Sequence, residues 1–401
     1  MTNKKKTIYF SRNGLMEPLG ESQVLPYLKH LSQSYRVTLV TFEKASDLLN
    51  HQKLLSYQAL CLEHDIDWVI KKFSYTPKFF RPIIDIFKLT SIGLREVKSG
   101  AELVHCRSYI PSFAGLIIFI ISRTPFIFDM RALWPDELAS SGRISSISLT
   151  YKLLIFLEKA LLKYAASVVS LTHAAAEYLD QRNPEFNLLD RMEVIPTCVD
   201  LDKFQISSPS KSSEFTVGCI GTVVSGWFKL DFLSEYFLYL SNKLPHAKFE
   251  IVSRDNQDEI LSFFENQGFD LSRLKIFSVN SADMPHTLWS HSVSTMFFNP
   301  GIGKLGSSPT RLGEILACGI PVIANDGIGD VSTIIKKYNV GIIINSEVSD
   351  PFEGSIKLLE DLFLDSNLPQ RCRLASEEIF SLNMGSNQFA QIYKSIISKK
   401  T

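Results

Sequence analysis

Phe215–Leu230, FTVGCIGTVVSGWFKL, reads as a strand, a glycine turn and the start of a helix. Phe215–Ile220 is a short apolar run, Gly221 and Gly226 interrupt it, and a helical pattern leaves at about Leu230. A buried strand that feeds a helix through a glycine loop is the building unit of a doubly wound α/β domain. The loop is not a dinucleotide fingerprint, because the G-x-G-x-x-G spacing is absent, and it is not a Walker A loop. Outward from this stretch the alternation continues both ways. Downstream, strand-like runs recur at Lys248–Val252, Lys275–Phe277, Val293–Phe298, Pro321–Ala324 and Val340–Ile344. Upstream they stand at Thr7–Ser11, Val37–Phe42, Trp68–Phe73, Leu103–Cys106, Pro125–Asp129, Ser167–Leu171 and Val194–Ile195. Runs this apolar and unalternating predict parallel strands covered by helices on both faces. Lys203–Glu214, KFQISSPSKSSE, breaks the series with linker composition. The expected organisation is therefore an N-terminal Rossmann-like domain over 1–202, a linker over 203–214 and a C-terminal Rossmann-like domain over 215–380. A last helix within 381–401 would pack back on the first domain. The cleft between the two domains is the default ligand site of such an arrangement.

Composition narrows the class. The chain has 401 residues, enough for two domains with sizeable cores, and 45% hydrophobic with 21% charged residues is ordinary for a soluble enzyme. Basic and acidic residues balance at 42 each, which argues against a nucleic-acid binder. The six cysteines form no C-x-x-C pair and predict buried thiols in a reducing compartment, with neither a disulfide framework nor a zinc site. MTNKKKTIYF has no apolar core of a signal peptide, and Phe113–Ile121 falls short of the ~20 residues that span a bilayer.

Ser307–Gly319, SSPTRLGEILACG, is the strongest local signal for chemistry. Ser308 as N-cap, Pro309 at the first helical position and Gly319 after the end predict a helix over 309–318. Arg311 then sits in the first turn, where a cation opposes the helix dipole by ~0.3–1 kcal/mol unless an anion joins it. A phosphate at that terminus would satisfy both Arg311 and the free backbone N–H groups. The competing reading is an Arg311–Glu314 pair at i,i+3 spacing. Lys229, just after the glycine loop, stands either where a phosphate could be neutralised or as a solvated side chain. In the first domain Ser11–Gln23, His105–Tyr109 (HCRSY) and Asp129–Glu137 (DMRALWPDE) all follow strands, so they place His, Arg, Asp and Glu on one sheet edge. Asp65–Asp67 and Asp200–Asp202 lie outside any nucleotide site and predict no metal. Tyr75–Lys98 mixes Phe80, Ile83, Ile84 and Phe87 with Lys78, Arg81 and Lys88; it predicts an amphipathic helix, packed on the sheet or resting on anionic lipid.

Five segments together resemble glycosyltransferase family 4, which has the GT-B fold. They are GLMEPLGESQVLPYL at 14–28, FDMRALWPDEL at 128–138, VIPTCVDLDKF at 194–204, GTVVSGWFKLD at 221–231 and SSPTRLGEILACGIPVIAND at 307–326. The resemblance implies metal-independent, retaining transfer of a hexosyl or N-acetylhexosaminyl group from a nucleotide sugar, a UDP-sugar foremost. The donor is a substrate, so no cofactor is implied, and the acceptor hydroxyl belongs to a glycan or a lipid-linked glycan. By position, Lys229 and Arg311 would hold the pyrophosphate and Glu314 the ribose. Gly221, Thr222, Ser308 and Thr310 would line the donor site, and Gly20 would approach the donor phosphates from the first loop. Backbone near Asn280–Pro285 would meet the base. Arg131, His105 and Asp129 would do the orienting work of catalysis.

The chain departs from the family pattern at Gly306, where the first glutamate of a Glu-x7-Glu pair is expected, and at Thr222, where a basic residue is usual. Lys304 with Ser307 and Ser308 would substitute near the sugar. The Asp129-x-Arg131 form and the Ser-Pro-Thr-Arg string resemble a branch that builds bacterial capsule, O-antigen or exopolysaccharide, which implies cytoplasmic work at the inner face of the plasma membrane. Two other readings stand beside this one: a nucleotide-sugar 2-epimerase of the same fold, and a non-catalytic nucleotide-sugar-binding subunit, which the loss at Gly306 favours.

Overall fold

The computed structural model describes residues 4–77, 80–206 and 214–399. The chain divides into two units, one of residues 1–196 with 382–401 and one of residues 197–381. The first division therefore falls at Pro196/Thr197, ahead of the Ser/Lys-rich stretch expected to carry it. Lys203–Ile206 belong to the second unit, and 207–213 lie outside the described residues.

The first unit is built on a seven-stranded sheet in the order β3-β2-β1-β4-β5-β6-β7. The strands are β1 Lys5–Ser11, β2 Tyr35–Glu43, β3 Ile66–Lys72, β4 Ala101–Arg107, β5 Phe126–Asp129, β6 Ser167–Ser170 and β7 Met192–Val194. All neighbours pair in parallel. The second unit repeats the plan with six parallel strands in the order β10-β9-β8-β11-β12-β13. These are β8 Thr216–Ile220, β9 Lys248–Val252, β10 Leu274–Phe277, β11 Val293–Met296, β12 Val322–Asn325 and β13 Gly341–Ile344. Both sheets carry the doubly wound architecture that the apolar runs predict, and each expected strand is present. The parallel strands are buried because helices cover both faces, which is why Ile8, Phe10, Leu39, Val104 and Phe128 are fully enclosed in one unit and Val217, Ile251, Val293 and Ile323 in the other.

Each sheet starts in its middle and winds outward both ways. The strand order reverses between β1 and β4 and again between β8 and β11. At such a switch point the connections leave in opposite directions and open a crevice at the carboxyl ends of the strands. Register decides what stands there. Ser11 lies beside Arg107, and Arg107 beside Asp129.

The terminal helix Leu382–Ser398 belongs to the first unit, where it packs against the helix Leu25–Leu31 and β4. Its Phe389 meets Tyr27 edge-on at 5.3 Å, and its fully buried Tyr393 lies 5.2 Å from Tyr35. The Tyr393 hydroxyl is 3.0 Å from His105 Nδ1. Tyr393→Ala removes a buried ring and a hydrogen bond together, and should cost about 3–5 kcal/mol in denaturant unfolding. An unfolding curve shifted by less than about 1 kcal/mol would mean that this helix is not part of the first unit's core.

Candidate functional site

In the second unit the polar groups gather at the reversal between β8 and β11. The helix Thr310–Ala317 is held there by its apolar face: Leu312, Ile315 and Leu316 are buried, and a side chain at Gly313 would run into Val199 and Phe380. That packing fixes Arg311 and Glu314. The cap differs from expectation. Pro309 is the N-cap, extended at φ −65° and ψ 119°, with no side-chain cap. Ser308 is occupied elsewhere, because its Oγ accepts the backbone N–H of Thr197 at 3.2 Å. The helix therefore begins at Thr310, and its N-cap residue makes no side-chain cap bond to the first turn.

Arg311 lies over two phenyl rings, 5.3 Å from the Phe298 centroid and 5.9 Å from that of Phe228. The two rings meet edge-on at 5.6 Å. Gly221, immediately after β8, turns at φ +94°, and a Cβ there would collide with the Arg311 guanidinium. Glycine at 221 thus serves both the left-handed turn and the close approach of the cation. Among the described residues Arg311 forms no ion pair, and its Nη1 is buried without a hydrogen-bond partner. Burial pulls its pKa down, offset only in part by Cys219, Glu314 and Asp255. A half-buried guanidinium with one nitrogen enclosed and unbonded, and with no anion, is an incomplete structure, since charges taken out of water are normally paired. The expected alternative, an Arg311–Glu314 ion pair, is not formed.

Glu314 is half-buried, one turn further along the same helix face. Burial raises its pKa, offset in part by Lys203 and then Arg311. Lys203 donates to Ser281 Oγ at 2.8 Å, which brings the 280–285 segment beside Glu314. Lys203 was not singled out from sequence, whereas Ser281 lies within the Asn280–Pro285 segment expected to meet the base. Asp255 was also missed. Its Oδ2 accepts the N–H groups of Val223 and Val224 at 2.7 and 2.9 Å, so these loop donors are already used. Thr222 is exposed. Lys229 caps the helix Leu230–Lys243, and its Nζ lies 4.7 Å from the Phe232 centroid, on a different ring from those under Arg311. Lys304 stacks on Trp227, with Nζ 3.7 Å from a ring centroid. Thr310 opens the helix that carries Arg311.

The first unit brings Arg131, Asp129 and His105 together as the sequence predicts, and adds Arg107. Burial alone would raise the Asp129 pKa, but Arg131, His105 and Arg107 hold it down at about 2. Arg131 Nη1 donates to Asp129 Oδ1 at 3.3 Å. His105 is 1% exposed and its pKa is lowered by burial, so the ring is neutral at pH 7. A neutral ring fits both neighbours: Nε2–H faces Asp129 Oδ2 at 3.4 Å and the Tyr393 hydroxyl faces Nδ1. With both nitrogens engaged, His105 orients Asp129 and does not itself present to a ligand. Gly20 has a packing reason of its own. It is buried in the helix Pro18–Gln23, where an added Cβ would meet the carbonyls of Gly14 and Leu15, so it serves helix packing. The D-x-D strings are locally satisfied: Asp65 pairs with Lys4, Asp67 with Arg36, and Asp200 accepts backbone N–H groups of Asp202 and Lys203.

Comparison with known proteins adds a family likeness to this geometry. Residues 21–203 match the model of Glycosyltransferase Family 4. Over that segment the chain is similar to Glycosyltransferase Family 4. Solved structures extend the likeness to the whole fold. HepE of Anabaena in complex with UDP and glucose is similar with a TM-score of 0.67 at 16% identity, covering 98% of this chain and 100% of its own. A glycosyltransferase from Rickettsia africae gives 0.70 at 16% identity, covering 98% and 99%. Sucrose-phosphate synthase from Thermosynechococcus elongatus gives 0.68 at 13%, covering 99% and 100%. The fold is therefore GT-B. No curated protein sequence matches the chain.

A cation held for a ligand should weaken the unliganded protein. Arg311→Leu removes the unpaired charge and keeps most of the apolar stem. It should leave the thermal midpoint of the ligand-free protein unchanged or higher, in the manner of active-site groups that trade stability for function. A loss of about 3 kcal/mol or more would instead mark Arg311 as a paired structural residue.

Proposed function

We propose that this protein is a retaining glycosyltransferase that moves a hexosyl or N-acetylhexosaminyl group from a UDP-sugar to a hydroxyl of a glycan or lipid-linked acceptor. The unpaired guanidinium of Arg311, at the uncapped start of Thr310–Ala317, is the observation that carries the reading. A diphosphate there gains the cation and the positive end of the helix dipole at once. Glu314, on the same face, accepts hydrogen bonds from the ribose hydroxyls, and the backbone near Ser281 lies beside it for the base. Lys229 leaves the Phe232 face to meet the phosphate. The choice of UDP draws on Anabaena HepE, which is solved with UDP and glucose.

The chemistry follows from what the site offers. The bond from the anomeric carbon to the diphosphate oxygen breaks, and Arg311 and Lys229 stabilise the charge that develops on the leaving group. The acceptor oxygen attacks from the same face, its proton passing to the departing phosphate. The protein then contributes position and charge in place of a nucleophile or a metal. Arg131, fixed by Asp129, orients the acceptor. The Asp129-x-Arg131 and Ser-Pro-Thr-Arg strings favour a role in bacterial surface polysaccharide, with a membrane-attached acceptor. Loss of the Glu-x7-Glu carboxylate at Gly306 leaves Lys304, stacked on Trp227, together with Ser307 and Ser308 as the polar groups beside that position in the chain.

One surface of the first unit suits work at an anionic bilayer. The helices Arg81–Lys98, Tyr109–Ser122 and Leu149–Tyr164 pack side by side. They and their flanks expose Phe80, Phe87, Ile121, Leu149, Leu153 and Phe156, with Phe87 and Phe156 each at 68%. The fully exposed charges of these helices are all basic: Lys88, Arg95, Lys98, Lys152 and Lys163. Among the described residues no helix is long and apolar enough to cross a membrane. Apolar side chains ringed by lysine match an interfacial contact with anionic lipid.

Calorimetric titration with UDP tests the donor site. Arg311→Ala should weaken UDP by about one to two decades, the weight of one charge-assisted contact. Glu314→Ala should weaken UDP while leaving inorganic pyrophosphate nearly unchanged. Unaltered UDP affinity in Arg311→Ala would defeat the assignment. Separately, the protein should co-sediment with phosphatidylglycerol vesicles at low salt and be released as salt rises. Replacing Phe87 and Phe156 by Ser should abolish binding, and equal binding to neutral vesicles would contradict the electrostatic part.

A further inference from the structure

The reversal between β1 and β4 holds more positive charge than it can satisfy. Arg107 is 4% exposed and ends β4; Arg131 follows the end of β5. Both guanidiniums converge on one neutral oxygen, Gln23 Oε1, with Arg107 Nη2 at 2.7 Å and Arg131 Nη2 at 3.3 Å. Arg107 Nη1 reaches a second neutral oxygen, Asn13 Oδ1, at 3.3 Å. Among the described residues the carboxylate of Asp129 is the one acidic group bonded to this cluster, and it is bonded to Arg131 and His105. His105 adds no charge. Two buried cations therefore share one anion. The Nε atoms of Arg107 and Arg131 are both buried without a hydrogen-bond partner. Arg107 bears the cost: burial and then the repulsion of Arg131 pull its pKa down.

We infer that Arg107 and Arg131 form a receptor for an oxyanion carried by the acceptor, a carboxylate or a phosphate, with the Gln23 carbonyl oxygen occupying part of its place in the free protein. The inference rests on the transferase reading, and it deepens it by naming the class of acceptor. A planar fork of two guanidiniums matches the two-oxygen face of a carboxylate or phosphate. Such a group would displace Gln23, neutralise the surplus charge and stand at the carboxyl edge of the sheet, where ligands of this architecture bind. A neutral glycan offers none of this. The donor's diphosphate has its own cation in Arg311, on the second unit's sheet.

The full chain, saturated with UDP so that Arg311 is occupied, is titrated with inorganic phosphate, glucuronate and glucose at constant ionic strength. Phosphate or glucuronate should bind and glucose should not; the tighter of the two anions tells phosphate from carboxylate. Arg107→Gln and Arg131→Gln should each weaken that anion at least about tenfold, whereas Arg311→Gln should weaken UDP and leave the anion unchanged in the remaining UDP-saturated protein. Gln23→Ala, which frees both forks, should bind the anion at least as well as the wild type and guards against loss of fold in the arginine variants. Four results would each overturn the proposal: no anion binding, binding unaffected by either arginine variant, glucose binding as tightly as the anions, or exclusion of the anion by UDP. Because UDP affinity is read separately, failure here leaves the donor site standing, and failure of UDP binding is seen as its own result.

Discussion

Two parallel sheets that each begin in the middle set the terms for everything else in this molecule. Parallel strands point all their carboxyl ends the same way, and the reversal of order leaves one place on that edge where no connection covers the strands. Arg107 and Asp129 are neighbours there because β4 and β5 are in register. Gly221 and Arg311 meet there because β8 ends in a left-handed turn beneath the helix Thr310–Ala317. The apolar cores hold these helices and strands in place, and the polar groups are carried along.

Both edges hold charge that the free protein does not neutralise. Arg311 has two aromatic rings and no anion, whereas Arg107 and Arg131 have one carboxylate between them. Ring faces attract a cation by about 0.5–2 kcal/mol, less than a buried ion pair partner supplies in charge compensation. The surplus therefore has a sign and a location, and both point to ligands rich in oxyanions. A nucleoside diphosphate meets this description at one edge and an acidic or phosphorylated acceptor at the other. The contrast with Arg182 is informative: it pairs with Glu158 and Asp136, accepts company from Tyr178, and reads as a structural tie among helices.

The sheets were legible in the sequence because buried parallel strands are continuous apolar runs, and no other element needs such runs bounded by glycine and polar loops. Arg311 and Glu314 were legible for a related reason, since the spacing on one short helix fixes their common face. The start of that helix was misjudged by a residue because the Ser308 hydroxyl goes to Thr197, a partner over a hundred positions away in the chain. The same limit hid Lys203 and Asp255, and left Arg107 as one residue of a polar loop, HCRSY, with no role of its own. Each earns its place by register or loop contact, which no local pattern records. Gly20, expected near the donor from its loop, also lacks room for a side chain against the carbonyls of Gly14 and Leu15, and sequence cannot tell the two needs apart.

The central claim is that a nucleoside diphosphate completes the charge of Arg311. A crystal structure of the protein grown with UDP tests it most directly. The account predicts a diphosphate oxygen within hydrogen-bond distance of Arg311 Nη1, at the first turn of Thr310–Ala317, with the ribose hydroxyls on Glu314. UDP bound with its phosphates away from Arg311, or a guanidinium still unpaired with the nucleotide present, would contradict it.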